Sequence, residues 1–412
     1  MIFERTLYVG MDSGAGEPIV PAGILKLLRH GVLESGEFAY GQRYLQSVQA
    51  APLNPNYLPL QSVSFALPER RIRDGGALPL TFRDALPDSW GRRVLEAQYG
   101  NTLSDIDVLL LTNADRVGAM VFAERLPIQS ELSITDLISL DELADAVHQL
   151  EYSMEMTSAM KRLLQRGGTL GGARPKAAFI HDDARWMAKF PARGDEYDVE
   201  VLEAATLTLA RQCGIEIPEF FVQPIYTGHA LLLRRFDRQG TLTAEQRIHF
   251  LSASALLDVP YESSGGSYVE FAQMLRCVSA DPARDLHQLY LRMVFNLVID
   301  NSDDHVKNHG VLFAGNKGCL LSPAFDLVPQ LTNMGYQQLA IFPGQFESHL
   351  DLARDAAPHF GISLDKANII IADIINKCEA EFGNILRGLG ANKMLIDRGA
   401  LCLKKQKMLI SQ

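Results

Sequence analysis

Residues 300–310 read DNSDDHVKNHG, with three Asp, two Asn, two His and one Lys in one stretch. Asp303 and Asn308 stand five positions apart, and Asp326 follows 23 positions after Asp303 in the apolar segment SPAFDLVP. A carboxylate that can take a hydroxyl proton, an amide oxygen five residues later and a second carboxylate in apolar surroundings form a donor set suited to phosphoryl transfer. Mg²⁺ is a hard cation that takes carboxylate and amide oxygens and keeps part of its water. On this reading Asp303 is the base, and Asn308 and Asp326 hold the metal. Each fragment also has a plain structural reading: a D-x-x-x-x-N loop is commonly solvated, and a lone Asp commonly caps a helix.

His305 and His309 are four positions apart, a spacing that suits a zinc pair on a helix, but no third ligand follows at a clear spacing. They are read as loop residues. Upstream, GGTLGGARPK (167–176) places four Gly before a strand that begins at Lys176. Successive backbone N–H groups there can cradle an anion, although the stretch is neither G-x-x-x-x-G-K-[ST] nor G-x-G-x-x-G, and a flexible linker would look the same. Lys189 sits inside the apolar run WMAKF. A buried ammonium needs a partner, and Glu203 on the next helix is the natural one; the alternative is a Lys that snorkels from an edge strand. A Gly-rich loop, strand Lys, helix Glu, D-x-x-x-x-N loop and apolar Asp follow one another in protein-kinase order.

The elements that must position these groups are legible in outline. TLYVGM, IVPAGIL and FAYGQRYL suggest strands joined by turns. LPDSWGRRVLEAQYG suggests a helix capped at Asp88 or Ser89 and ending at Gly100, and Ser139 with Glu142 suggests a capping box. KAAFI and RWMAKF suggest a hairpin around HDDA, and residues 198–214 a helix. Leu286, Leu289, Tyr290, Met293, Val294, Leu297 and Val298 follow the spacing of a core helix that delivers the chain to Asn301. GVLFAGNKGCLLS, between Asp303 and Asp326, suggests a second hairpin, and residues from 350 on are helical. The first half is strand-rich and the second helical, with a boundary near 236–245.

Composition narrows the function class. The chain has 412 residues, 47% apolar and 21% charged, enough for a sizeable core. Net charge is −10, which disfavours broad electrostatic binding to nucleic acid. No apolar run reaches 18 residues, so no membrane span is expected; MIFERTLYVG carries charge early and reads as a first strand rather than a signal segment. The five Cys (213, 277, 319, 378 and 402) form no C-x-x-C pair, which points to a reducing cytoplasm without disulfides or a metal framework.

Taken together, GGARPKAAF, MAKFP, LLLRRFDR, NSDDHVKNHGVLF and LSPAFDLVP resemble the HipA family of serine/threonine kinases, toxins of bacterial toxin–antitoxin pairs. FAYGQRYL, PLNPNYLPL, LPDSWGRRVL and ADRVGAMVF resemble that family's amino-terminal subdomain, so the similarity spans nearly the whole chain. The resemblance implies an α+β, two-lobed, protein-kinase-like fold with an N-terminal β-rich subdomain (1–125), a kinase N-lobe (126–236) and an all-helical C-terminal lobe (237–412). It implies ATP and Mg²⁺. Asp303 matches the catalytic base, Asn308 and Asp326 the metal ligands, and Lys189 the lysine on the ATP phosphates, with Glu203 as its brace. Gly171, Gly172, Ala173, Arg174, Pro175 and Lys176 match the loop over the nucleotide. Arg234, Arg235 and Phe236 match the segment beside the adenine, and His305 and Phe325 border the same pocket. Lys307 is placed to neutralise the transferred phosphoryl group.

Thr169 falls where the family carries an autophosphorylated Ser. It is Thr rather than Ser and follows two Gly, a departure from the family's pattern. Asp304 is an added carboxylate beside the base, read as facing water. The implied activity is growth arrest by phosphorylating a protein of translation, with an aminoacyl-tRNA synthetase as the family precedent. The implied partner is a HipB-type DNA-binding antitoxin, so that contact with DNA is mainly indirect. Two rival readings share the site: a small-molecule kinase of the aminoglycoside or choline type, and a catalytically silent nucleotide-binding repressor subunit.

Overall fold

The computed structural model describes residues 2–14, 16–48, 50–100, 103–112, 115–129, 139–152, 174–263 and 265–411. The chain forms two compact units, each assembled from separated segments. The first comprises 1–187, 237–251 and 312–317, and the second 188–236, 252–311 and 318–412.

The first unit is built on an antiparallel sheet. Strands β1 (Ile2–Met11), β2 (Val20–His30) and β3 (Leu33–Tyr40) are followed by a short helix α1 (Gln42–Leu45) and by β4 (Phe65–Arg71). Helices α2 (Leu80–Arg83), α3 (Ser89–Tyr99) and α4 (Asp105–Leu111) then lead to β5 (Met120–Ala123), which closes the sheet in the order β4-β3-β2-β1-β5. In β2, Leu25 and Leu27 face inward while Lys26 and Leu28 face out, the period of two that a half-buried strand imposes. Leu25 lies opposite Phe38, and both are fully buried in a core shared with Val9, Phe82 and Phe122. Burying each such side chain contributes about 2 kcal/mol. FAYGQRYL ends in α1 rather than in a second strand: the Gly41 N–H still donates to the Ala22 carbonyl at 2.8 Å, and the chain then turns so that the Tyr40 and Tyr44 rings stack 5.9 Å apart.

Helix α3 starts after Asp88, which holds the N-cap position without a side-chain capping bond, and stops at Gly100, whose φ of 96° suits glycine. Helix α5 (Leu140–Glu151) starts in a reciprocal Ser139–Glu142 capping box. Strands β6 (Lys176–His181) and β7 (Ala184–Lys189) flank Asp182 and Asp183, both with positive φ, the signature of a tight two-residue hairpin turn. A buried ionic network holds the remaining segments of this unit. Arg247 donates to Asp12 at 3.0 Å, Arg238 to Asp237 at 2.7 Å, and Arg185 to Glu245 at 2.9 Å.

In the second unit, helix α6 (Val199–Gln212) is capped by the Asp198 carboxylate, and β8 (Phe220–Ile225) pairs antiparallel with β9 (Gly228–Arg234). Residues 237–412, expected to be all helical, are mainly helical but also carry short strands: β10 (Arg238–Gln239) and β11 (Gln246–Arg247), which belong to the first unit, and β12 (Phe250–Ser252), β13 (Gly310–Phe313) and β14 (Cys319–Leu321). The last two flank the Gly-containing turn of GVLFAGNKGCLLS. Helices α7 (Ala253–Leu257) and α8 (Tyr268–Val278) precede the central helix α9 (Pro282–Val298). Pro282 occupies the first turn of α9 and Asp281 caps it; Leu289, Tyr290, Met293, Val294 and Phe295 are completely buried. Helices α10 (Leu350–Ala356), α11 (Leu364–Gly388) and α12 (Lys393–Ile410) complete the unit. From α12, Gln406 donates to the Leu297 carbonyl at 2.8 Å and so caps the last turn of α9. Among the described residues no helix is long and apolar enough to cross a membrane, and all five cysteines are free.

Candidate active site

The candidate site lies in the second unit, and its centre is a buried ammonium. Lys189, at the end of β7, is 4% exposed. Its Nζ donates to both oxygens of Glu203, at 2.7 and 2.9 Å, and to Oδ1 of Asp326. Burial alone would lower the lysine pKa; the Asp326 and then the Glu203 carboxylate reverse this and hold it above the ordinary lysine value. Glu203 faces Lys189 because it lies on the buried side of α6, one turn past the Asp198 cap.

Asp326 adopts φ 53°, a left-handed conformation that costs an L-residue energy and therefore needs support. Its carbonyl accepts from Asn301 Nδ2 at 3.3 Å, and its side chain remains part-exposed. The Phe325 ring beside it lies 5.5 Å from that of Phe236.

The 300–310 loop begins where α9 is stopped by Asp300, also left-handed at φ 61°. The buried Asp300 carboxylate accepts from the backbone N–H groups of Thr332 and Asn333 at 2.8 and 2.7 Å. A chain of hydrogen bonds then fixes the loop from below. Asn301 Nδ2 donates to Asn296 Oδ1 (3.1 Å), Asn296 Nδ2 to Tyr268 Oη (2.9 Å), and Tyr268 Oη to Asp304 Oδ2 (2.5 Å). His309 Nε2 lies 3.0 Å from Asp304 Oδ1. Asp304 is thus 2% exposed and an internal anchor, which corrects the expectation that it faces water. The buried tyrosine and histidine meet its oxygens in place of solvent, and burial followed by the Asp304 charge raises the Tyr268 pKa well above 10.

Asp303, its neighbour, points outward and is exposed. The surrounding protein desolvates its carboxyl and raises its pKa; His305 opposes the rise, and Asp326 and then Asp304 add to it. Asn308 is buried, and its amide nitrogen donates to the Asp303 carbonyl at 3.4 Å, which turns the amide oxygen the other way. Lys307 Nζ lies 5.0 Å from the centre of the Tyr261 ring, and His305 packs on the same ring at 5.6 Å. Arg234 is exposed and pairs with Glu219 at 2.8 Å, whereas Arg235 is buried. Arg174, Pro175 and Lys176 belong to the first unit, where the Lys176 carbonyl accepts from Trp90 Nε1 at 2.8 Å. Thr169, Gly171, Gly172 and Ala173 lie outside the described residues.

Sequence reading missed Tyr268, Asn296, Asn301 and Asp300. The only local signal was the run of amide and carboxylate residues at the end of an otherwise apolar helix. The donor set at Asn308 and Asp326 consists of hard oxygens, which suit Mg²⁺. Among the described residues no group of three or more His, Cys, Asp or Glu is arranged to hold a metal. A cation here would thus rely on phosphate oxygens and water for its remaining ligands, the usual habit of nucleotide-bound Mg²⁺. The residues fit that group.

Comparison with known proteins agrees with this architecture. The profile of the HipA-like C-terminal domain matches residues 168–382, just over half of the chain. A Sinorhizobium fredii protein named "Putative kinase Y4mE" is 26% identical over 328 residues, covering 76% of this chain and 75% of its own. A second protein from that organism, "Putative kinase Y4dM", is 24% identical over 213 residues, covering 48% and 50%. Among solved structures, HipA of Shewanella oneidensis, determined in complex with HipB and its operator DNA, superposes with a TM-score of 0.68 over 98% of this chain and 96% of its own at 15% identity. The fold is thus α+β and HipA-like, and the chain belongs to the family defined by the HipA-like C-terminal domain.

Proposed function

We propose that this protein is an ATP-dependent serine/threonine protein kinase, the toxin of a toxin–antitoxin pair. The observation that carries the reading is the sharing of one buried ammonium, Lys189, between Glu203 and Asp326. A structural salt bridge needs one partner. A Lys placed between a helix Glu and a part-exposed Asp is arranged for an anionic ligand that competes for the same charge.

In the proposed reaction Lys189 aligns the ATP phosphates and Glu203 fixes the position of Lys189. Asp303 orients the acceptor hydroxyl and takes its proton as the hydroxyl oxygen bonds to the γ-phosphorus and the bond to the β-phosphate oxygen breaks, releasing ADP. Lys307 offsets charge on the transferred group. Asn308 and Asp326 hold Mg²⁺, which when bound neutralises and orients the phosphates. Arg234, Arg235 and Phe236 flank the adenine, with His305 and Phe325 at the pocket edge. Thr169 is a candidate for autophosphorylation. The acceptor is a protein of translation such as an aminoacyl-tRNA synthetase, and the partner a HipB-type antitoxin that carries the contact with DNA; the Shewanella protein's complex supports that partner class.

The test is phosphoproteomics of cells expressing the chain, with Asp303→Asn as control. New phosphoserine or phosphothreonine sites that need Asp303 support the reading. Growth arrest by Asp303→Asn equal to wild type, with no new sites, would identify a silent nucleotide-binding subunit instead.

A further inference from the structure

Beside Asp303 the second unit opens into a cleft of about 450 Å³, within the range of ligand-binding sites. Its wall is the segment that follows Asp326. This segment is pinned at both ends: the Gln330 N–H donates to the Asp300 carbonyl at 2.9 Å, and the Gln338 N–H to the Ser302 carbonyl at 3.0 Å. Between them, residues 335–348 fold back on themselves. The Gln337 N–H donates to the Phe346 carbonyl at 2.7 Å, and the buried Gln337 side chain donates to Ser348 Oγ at 2.7 Å. The wall is therefore preformed, and it holds two kinds of group toward solvent. Met334 and Tyr336, 55% and 47% exposed, lie together, with Tyr336 Oη donating to the Met334 sulfur at 3.5 Å. Gln338 presents an exposed amide, which both donates and accepts, the pairing that a peptide backbone needs.

Charge separates the candidate occupants. Among the described residues, Asp303 is the only charged one that lines the cleft. A polycationic small acceptor would call for several carboxylates, and an acidic one for Lys or Arg; neither set is found among the described residues that line the cleft. A neutral, half-apolar wall next to the proposed base fits an extended protein segment, uncharged around its hydroxyl.

We infer that this cleft is the acceptor site, and that Met334, Tyr336 and Gln338 read a Ser/Thr-containing segment with an apolar side chain near the hydroxyl and no flanking charge. The inference rests on the proposed function and adds the residues that set acceptor choice.

The experiment uses the full chain, [γ-³²P]ATP and a positional library of Ser/Thr peptides, with Tyr336→Ala and Met334→Ala as variants. Both side chains are exposed, so folding should survive, and the thermal melt checks it. The expected result is selection of peptides with a large apolar residue and against charge beside the acceptor. Each variant should raise the peptide KM about five- to tenfold, the scale of one lost anchor contact, with kcat and the KM for ATP within twofold. Peptide transfer with unchanged KM in both variants, or selection for charged flanks, overturns the acceptor assignment and leaves the kinase reading standing. Transfer to an aminoglycoside or choline in preference to every peptide overturns the acceptor assignment and the protein-kinase reading while retaining phosphoryl transfer. No transfer by the wild-type chain to any acceptor, with ATP bound, overturns both.

Discussion

Lys189 and Asp326 stand 137 positions apart in the chain and are joined by a hydrogen bond from an ammonium that also binds both oxygens of Glu203. The two carboxylates differ in environment: the Glu203 side chain is 3% exposed and that of Asp326 37%. Glu203 is therefore the fixed partner, and Asp326 is the one positioned to exchange Lys189 for a ligand.

Removing Glu203 should leave a buried ammonium with one partner. Glu203→Ala is expected to cost about 3 kcal/mol of stability, the low end for breaking a buried pair because Asp326 remains. Urea unfolding measures this. A loss below about 0.5 kcal/mol would show that the pair is not a structural brace.

Asp303→Asn should cut transfer by about 10²–10⁴ and at the same time raise the thermal midpoint at neutral pH. The folded protein holds the Asp303 carboxyl above its usual pKa, so this group favours the fold below the unfolded pKa, and that contribution is lost as pH rises through the folded pKa. A neutral amide removes the penalty. The same raised pKa places the acid limb of the pH–rate profile above that of an ordinary Asp, and His305→Ala should move it higher still, since His305 lowers the Asp303 pKa. A lower midpoint for Asp303→Asn than for wild type would contradict this account of the carboxyl's surroundings.

His249, in the first unit, is completely enclosed and donates from Nε2 to the Leu53 carbonyl at 2.8 Å. Burial lowers its pKa to about 4. Because the folded value lies below the unfolded one, stability is full above about pH 6.5 and falls as pH drops toward 4. The loss should approach about 3 kcal/mol at the acid end. His249→Gln, which keeps a donor for Leu53, should flatten that dependence between pH 6.5 and 4 in chemical denaturation; an unchanged slope would exclude His249 as its source.

Asp300 staples the 330–333 segment to the end of α9 through two N–H groups. Asp300→Ala should leave both donors without their buried acceptor, at about 2–4 kcal/mol in total, and should raise backbone amide exchange at Thr332 and Asn333 by more than tenfold. Unchanged exchange there would mean that the staple is redundant.

Much of the local structure was legible because it is local: the Asp88 and Ser139 cap positions, the 176–189 hairpin and the apolar stripe of α9 each follow from spacing within one or two turns. The Lys189–Glu203 contact was legible for a related reason, since a strand Lys and a residue one turn into the next helix are separated by only fourteen positions. Asp304 was not. Its partner Tyr268 is 36 positions upstream, and nothing within the loop reveals that a buried phenol occupies the place of water. The same holds for the Asp300 staple and the Gln406 cap, which join segments that no periodicity relates. The β13–β14 hairpin was legible in GVLFAGNKGCLLS, whereas β10, β11 and β12, of two or three residues each, are too brief to stand out.

The central claim, that Asp303, Lys189 and Asp326 form a phosphoryl-transfer site, is tested most directly by measuring two quantities on the same proteins: Mg–ATP affinity by calorimetry and ³²P transfer into protein from a bacterial lysate. For Asp303→Asn the account predicts an ATP Kd within about threefold of wild type and transfer reduced by about 10²–10⁴. Wild-type transfer by Asp303→Asn, or failure of the wild-type chain to bind Mg–ATP, would contradict it.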